Sequence, residues 1–210
     1  MKWSEDLVKD IRTGTPFDDS DGGVPHPRGY GHTFDANGNV VYPKEVTDCN
    51  RLALMQNFMT VRDNCNAILE IGIGRNMQES FCYVFFNSKK PECKYVGLDI
   101  EDRSFLNNEA PNVHTYMDDS SNYDANLERF KSLGIEKFDF IFIDGWHSIN
   151  QVLRDCEYSN LLSDHGIIGF HDTSCHPGPH NFSNNLDTDK WEVVPNSCPD
   201  DWGIGFVRKK

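Results

Sequence analysis

The strongest constraint on the fold is a series of short, almost unbroken apolar runs: AILEI at 67–71, YVGLD at 95–99, FDFIFID at 138–144 and GIIGFH at 166–171. A strand apolar at consecutive positions has no face to offer water, so both faces must be covered. Helix-length segments stand between the runs, at 77–87, 127–133 and 149–162. The last of these turns Val152, Leu153, Cys156 and Leu161 inward. A weaker run, VHTYM at 113–117, makes a further strand. Two more, at 191–194 and 203–207, have no helix-sized insert between them and are expected to pair as an antiparallel hairpin.

This pattern gives an α/β class: a Rossmann-like, doubly wound, mainly parallel seven-stranded sheet with an antiparallel C-terminal edge hairpin. The 210 residues suit one such domain, large enough to hold a core without disulfides. Residues 67–210 carry the alternating pattern, while 1–66 read as an irregular N-terminal lid with one helix. Gly, Pro, Asp and His crowd residues 13–39, and DANGN at 35–39 is a turn signal. A helix over 47–62 is predicted from the spacing of Leu52, Met55, Phe58 and Met59.

A net charge of −13 repels nucleic-acid phosphates and anionic lipid, and the one basic cluster, Arg208-Lys209-Lys210, is short. The expected partner is a small molecule, with neither nucleic acid nor membrane; a homo-oligomer is compatible. Seven cysteines, odd in number and without a CxxC pair, read as buried free thiols. The first fourteen residues hold no apolar stretch of signal-peptide length, and no run approaches the ~18 apolar residues of a membrane span. A cytoplasmic location is the expectation.

In an open α/β sheet, ligands bind beyond the carboxyl ends of the strands. Glu70, Gly72 and Gly74 stand at the first such end, Asp99 at the second, and Asp118 and Asp119 at the third. Glycines allow a tight turn and close approach of a ligand, and a carboxylate after the second strand suits ribose hydroxyls. Met77 stands where a dinucleotide fingerprint would place its third glycine, which disfavours a pyrophosphate cofactor.

LEIGIG, YVGLDI and FDFIFIDGWHS resemble the motifs of class I S-adenosylmethionine-dependent methyltransferases. The resemblance implies that Glu70, Gly72 and Gly74 surround the methionine part of the cofactor, that Asp99 holds the ribose, and that Asp118 or Asp119 lies near the adenine. Asn76 replaces that family's usual third glycine. IDGWH at 143–147 and GIIGFHDT at 166–173 resemble a narrower group, the metal-dependent small-molecule and sugar O-methyltransferases and the cephalosporin-hydroxylase-like proteins. That likeness implies a divalent cation held by Asp144, His171 and Asp172, with His147 as the base that deprotonates a hydroxyl acceptor. Carboxylates suit Mg²⁺ or Mn²⁺, and an imidazole shifts the choice toward Zn²⁺, Fe²⁺ or Mn²⁺.

Bland readings stand beside these. Asp144 can cap the following helix, Asp155 reads as structural, and strand alternation sets His171 and Asp172 on opposite faces. The run HDTSCHPGPH, with Cys175, His176 and His180, does not have zinc-finger spacing. Its two prolines suggest an irregular loop over the acceptor pocket, with His176 or His180 touching substrate. Trp146 and the lid residues His26, Arg28, Tyr30 and His32 are further candidates for lining it. The rival functions are a metal-independent methyltransferase and a non-catalytic adenosyl-binding module.

Overall fold

The computed structural model describes residues 33–34, 40–41, 44–74, 80–173, 176–194 and 203–210. Strands β1 (Thr33–Phe34) and β2 (Val40–Val41) pair antiparallel as a small ribbon. The main sheet contains β3 (Ala67–Ile71), β4 (Lys94–Asp99), β5 (Val113–Met117), β6 (Phe138–Ile143), β7 (Leu162–His171), β8 (Trp191–Val194) and β9 (Ile204–Lys209), in the order β5-β4-β3-β6-β7-β9-β8. The first five strands named are parallel, whereas β9 runs antiparallel to both β7 and β8. This is the expected seven-stranded Rossmann-like sheet. The chain leaves β3 toward one edge and returns at β6 toward the other, so the switch point lies between the tips of β3 and β6.

Alternation along the central strands feeds two cores. Ile68, Phe140 and Phe142 point to one face, beneath helices α1 (Lys44–Val61) and α2 (Cys82–Ser88). There Phe85 is fully buried, and Phe58 meets Phe85 and Phe140 edge-on at 5.3 and 5.6 Å. Each large apolar side chain buried in this way contributes about 1.5–3 kcal/mol. Leu69, Ile71, Ile141 and Ile143 point to the other face. They pack with Phe130 of α3 (Tyr123–Ser132), Val152 and Leu153 of α4 (Ile149–Asp155) and Phe182 of α5 (Pro177–Asn184).

Several elements differ from the sequence reading for identifiable reasons. Helix α1 buries Asn50, Ala53, Leu54, Asn57, Phe58 and Val61, and leaves Leu52, Met55 and Met59 at least 40% exposed. Of the four apolar residues whose spacing predicts the helix, only Phe58 is buried. The helix expected over 149–162 stops at Asp155 and continues as a 3-10 helix, Cys156–Leu161, before β7 begins at Leu162. The loop expected around Pro177 and Pro179 is the helix α5. A first helical turn has no internal partner for its N–H groups, so both prolines fit there at no cost in hydrogen bonds.

Cys65, Cys82, Cys93 and Cys156 are buried free thiols, as expected. Cys175 and Cys198 lie outside the described residues, as do DANGN, the lid residues His26, Arg28, Tyr30 and His32, and Asn76 and Met77. No helix among the described residues is long and apolar enough to cross a membrane.

Candidate active site

The tips of β3, β4 and β5 carry the residues expected to meet a cofactor. Gly72 turns the chain at φ +80°, and Gly74 follows at +30°. A Cβ on Gly72 would lie 2.1 Å from the Asp144 carbonyl oxygen, so a bare glycine is what lets β3 and β6 close at the switch point. Glu70 is fully buried under this turn. Tyr95 donates its hydroxyl to Oε2 at 2.7 Å, and Oε1 has no hydrogen-bond partner among the described residues. Burial pushes the Glu70 carboxyl well above its ordinary range, against the Tyr95 hydrogen bond, and the charges of Asp144 and Asp99 add to the rise.

Asp99 ties the turn to β4. Its carboxylate accepts the Ile73 N–H at 2.9 Å, the Glu101 N–H at 2.8 Å and Arg103 Nε at 3.3 Å. A carboxylate offers about four acceptor positions, so a ribose gripped through both hydroxyls must share or displace the Arg103 bond. Asp118 is engaged by Arg129 and Asn122; burial opposes its ionisation, but those hydrogen bonds hold its pKa below the usual range. Asp119 remains exposed and accepts from Ser121. Two exposed apolar residues missed in the sequence, Ile100 and Met117, stand at the ends of the same two strands. They are the kind of contacts a purine ring uses. A large hydrophobe directly beside each strand-end carboxylate was the signal available for them.

Asp144 at the tip of β6 and His171 and Asp172 at the tip of β7 converge. His171 Nδ1 lies 3.1 Å from Asp144 Oδ1 and 3.2 Å from Asp172 Oδ2, and one ligand atom from each of the three falls within 4.8 Å of the others. Strand alternation would separate His171 from Asp172, but Asp172 leaves the strand with φ +58°. That left-handed turn swings its side chain to the same site as its neighbour. Burial works against a charged His171, but the carboxylates of Asp172 and Asp144 outweigh it and hold the imidazole well above its ordinary pKa. Burial likewise opposes the Asp172 charge. The His171 charge and hydrogen bonds from His147 and His171 prevail, and its pKa falls well below the usual range. Asn50 of α1, also missed, meets His171 Nε2 at 3.3 Å and sets the ring's orientation. A polar residue on the buried side of a helix reads as solvent face in sequence, which is why it escaped notice.

His147 Nε2 lies 2.9 Å from Asp172 Oδ2, and its ring stacks on His176 at 3.9 Å. Helix α5 reaches this position because Gly178 presses against the His147 backbone; a Cβ there would sit 2.1 Å from the His147 carbonyl oxygen. Ser148 caps α4 by accepting the Gln151 N–H, an interaction worth about 1 kcal/mol. Trp146 is exposed beside a small cavity of about 10 Å³ that Asp144, His147, His171 and Pro179 help to line. His180 instead contacts the Thr173 carbonyl and Asn184.

Asp155 is fully buried two turns into α4, where Ser120 and Gln151 donate to Oδ1. Burial raises its pKa to about 7, with those two hydrogen bonds limiting the rise. An unfolded aspartate titrates near 3.9, so the folded state binds the proton more tightly. The stability gained is complete below about pH 4 and is lost as pH climbs through about 7. Denaturant titrations at pH 5 and pH 8 should therefore show a stability drop that shrinks in Asp155→Asn. An identical drop in both proteins would mean the carboxyl is not titrating in that window.

A family model described as a methyltransferase domain matches residues 69–173, which is 105 of the 210 residues. No curated protein is significantly similar in sequence. Among solved structures, MycE, a methyltransferase of the mycinamycin biosynthetic pathway in complex with Mg, S-adenosylhomocysteine and mycinamycin VI, is 17% identical with a TM-score of 0.52. The match covers 74% of this chain and 48% of MycE, so the chain spans about half of that protein's length. CalS11, a TDP-rhamnose 3'-O-methyltransferase of calicheamicin biosynthesis, is 13% identical with a TM-score of 0.60, over 80% of this chain and 81% of CalS11. SMU.1697c of Streptococcus mutans, in complex with S-adenosylhomocysteine, is 15% identical with a TM-score of 0.51, over 76% and 97% of the two chains. These structural likenesses are of fold. On the match over residues 69–173, the chain belongs to the methyltransferase-domain family.

Proposed function

We propose that the protein is an S-adenosylmethionine-dependent O-methyltransferase for a small hydroxylated acceptor, a sugar being the favoured class, assisted by a divalent cation. The observation that carries this reading is the convergence of Asp144, His171 and Asp172, with His147 alongside, next to the glycine turn at the switch point. Two carboxylates and an imidazole within 4.8 Å are a donor set that fits Mg²⁺ or Mn²⁺. The Gly72 turn, the Asp99 carboxylate and the apolar Ile100 and Met117 fit an adenosyl group. That the related folds of MycE and CalS11 carry sugar and natural-product methyl transfer supports the acceptor class.

When bound, the cofactor supplies an electrophilic methyl group and the cation lowers the pKa of the acceptor hydroxyl. The chain's own residues do the rest. Asp99 fixes the ribose, and with it the direction of the methyl group. Asp144, His171 and Asp172 hold the cation, and Asn50 keeps the His171 ring aligned. His171 must give up the proton at Nδ1 to serve as a ligand, so cation binding should release protons. His147, whose Nε2–H donates to Asp172, takes the acceptor's proton at Nδ1, and Asp172 stabilises the imidazolium so formed.

A labelled-methyl assay over a panel of hydroxylated acceptors, with and without EDTA, tests the proposal. Transfer that EDTA removes and Mg²⁺ or Mn²⁺ restores is the expected result. His147→Ala should slow turnover by about 10²–10⁴-fold while leaving S-adenosylhomocysteine affinity intact; unchanged turnover removes His147 from the role of base. A second reading, metal-independent transfer, draws on the ion pairing of His171 with Asp144 and Asp172, which satisfies those groups within the chain itself. Full activity after exhaustive chelation would favour it.

A further inference from the structure

We propose that His147, Asp172 and His176 form a second cation site, one that takes an imidazole-preferring divalent ion such as Zn²⁺ and, when filled, withdraws His147 from proton transfer. The last clause rests on the proposed role of His147 as base; the site itself does not.

One ligand atom from each of the three residues lies within 4.8 Å of the others, the same closeness found in the Asp144–His171–Asp172 set. His147 Nε2 is already 2.9 Å from Asp172 Oδ2. His176 is placed by structure on both sides of it. Its N–H donates to the Asp172 carbonyl at 3.2 Å, and α5 begins at the next residue, pressed on the His147 backbone through Gly178. Its ring stacks on that of His147 with 23° between the planes, so it lies within reach, and a shared ion requires one ring to turn about its Cβ–Cγ bond. Asp172 is buried, and both histidines are partly so.

The chemistry of this donor set differs from that of its neighbour. The Asp144 set is two carboxylates and one imidazole; this one is two imidazoles and one carboxylate. Mg²⁺ takes oxygen donors and keeps much of its water, whereas Zn²⁺ binds readily to three protein ligands drawn from His and Asp with a fourth position open. The two sites share Asp172, so the chain presents adjoining positions of opposite preference. Nothing in the local run HDTSCHPGPH reveals the second one, because its third ligand, His147, comes from the loop after β6. A zinc ion held at His147 Nε2 would leave the ring's remaining proton on Nδ1, so no lone pair stays for proton transfer.

The test is calorimetric titration of Zn²⁺ into the metal-stripped full chain in the presence of excess Mg²⁺, for the wild type, His176→Ala and His171→Ala. Circular dichroism confirms that each variant is folded. The expected result is one Zn²⁺ bound by the wild type, an affinity at least about tenfold weaker in His176→Ala, and an affinity largely kept in His171→Ala. No Zn²⁺ binding, equal affinity in the wild type and His176→Ala, or a loss confined to His171→Ala overturns the proposal. Mg²⁺ and S-adenosylhomocysteine are titrated separately on the same samples. Failure of either, with His176-dependent Zn²⁺ binding intact, counts against the proposed methyl-transfer chemistry and leaves the second site standing.

Discussion

Asp172→Asn should lower kcat by about three powers of ten while leaving the protein folded. The side chain faces His171 at 3.2 Å and His147 at 2.9 Å through one oxygen, so in the proposed chemistry its charge would serve the cation ligands and the base together. A cation acting on the acceptor oxygen is worth several kcal/mol, and each 1.36 kcal/mol is tenfold in rate, which sets the expected size at ~10³. Asparagine is the informative replacement because it keeps the shape of the side chain and tolerates the left-handed backbone at φ +58° better than alanine does. Steady-state kinetics beside a thermal melt separate the outcomes. Lost activity with an unchanged melting temperature is expected, whereas near-normal kcat in a folded variant would remove Asp172 from the chemistry.

The second large effect is on stability. Gly72→Ala places a methyl group 2.1 Å from the Asp144 carbonyl oxygen at a backbone φ of +80°. The left-handed conformation alone costs about 1–2 kcal/mol for a residue with a Cβ, and overpacking adds about 1–3 kcal/mol. Neither strand can retreat easily, because Gly72 N–H bonds the Leu98 carbonyl and Asp144 N–H bonds the Ile71 carbonyl. A total near ~3 kcal/mol corresponds to a fall of about 10 °C in melting temperature for a domain of this size. Gly205→Ala is the control. Among the described residues its added carbon would meet only Thr173 Cγ2, at 3.6 Å, and should shift stability by less than about 0.5 kcal/mol. Equal melting temperatures for Gly72→Ala and the wild type would show that the switch point is looser than this packing implies.

The sheet was legible because its central strands are buried on both faces and must read as continuous apolar runs, as in FDFIFI over β6. The strand-end carboxylates were legible for the same reason: once the strands are placed, their ends are placed too. What the sequence hid is what depends on tertiary contact or on single dihedral angles. The inner face of α1 carries Asn50, Asn57 and Ala53, while Leu52, Met55 and Met59 face outward, so the apolar spacing that predicts the helix does not mark its buried side. The juxtaposition of His171 and Asp172 follows from one left-handed residue, which pattern counting does not detect. Two prolines disguised α5, and with it the reason His176 meets His147.

In the proposed function the tips of β3 to β5 would hold the adenosyl group and the tips of β6 and β7 would do the chemistry. The most direct measurement is calorimetric binding of S-adenosylhomocysteine to the wild type, Asp99→Ala and Asp172→Asn. Loss of hydrogen bonds to a charged group costs about 1.5–3 kcal/mol, so Asp99→Ala should bind roughly tenfold to a hundredfold more weakly, and Asp172→Asn within about twofold of the wild type. Undiminished affinity in Asp99→Ala, or equal weakening in both variants, would contradict the account.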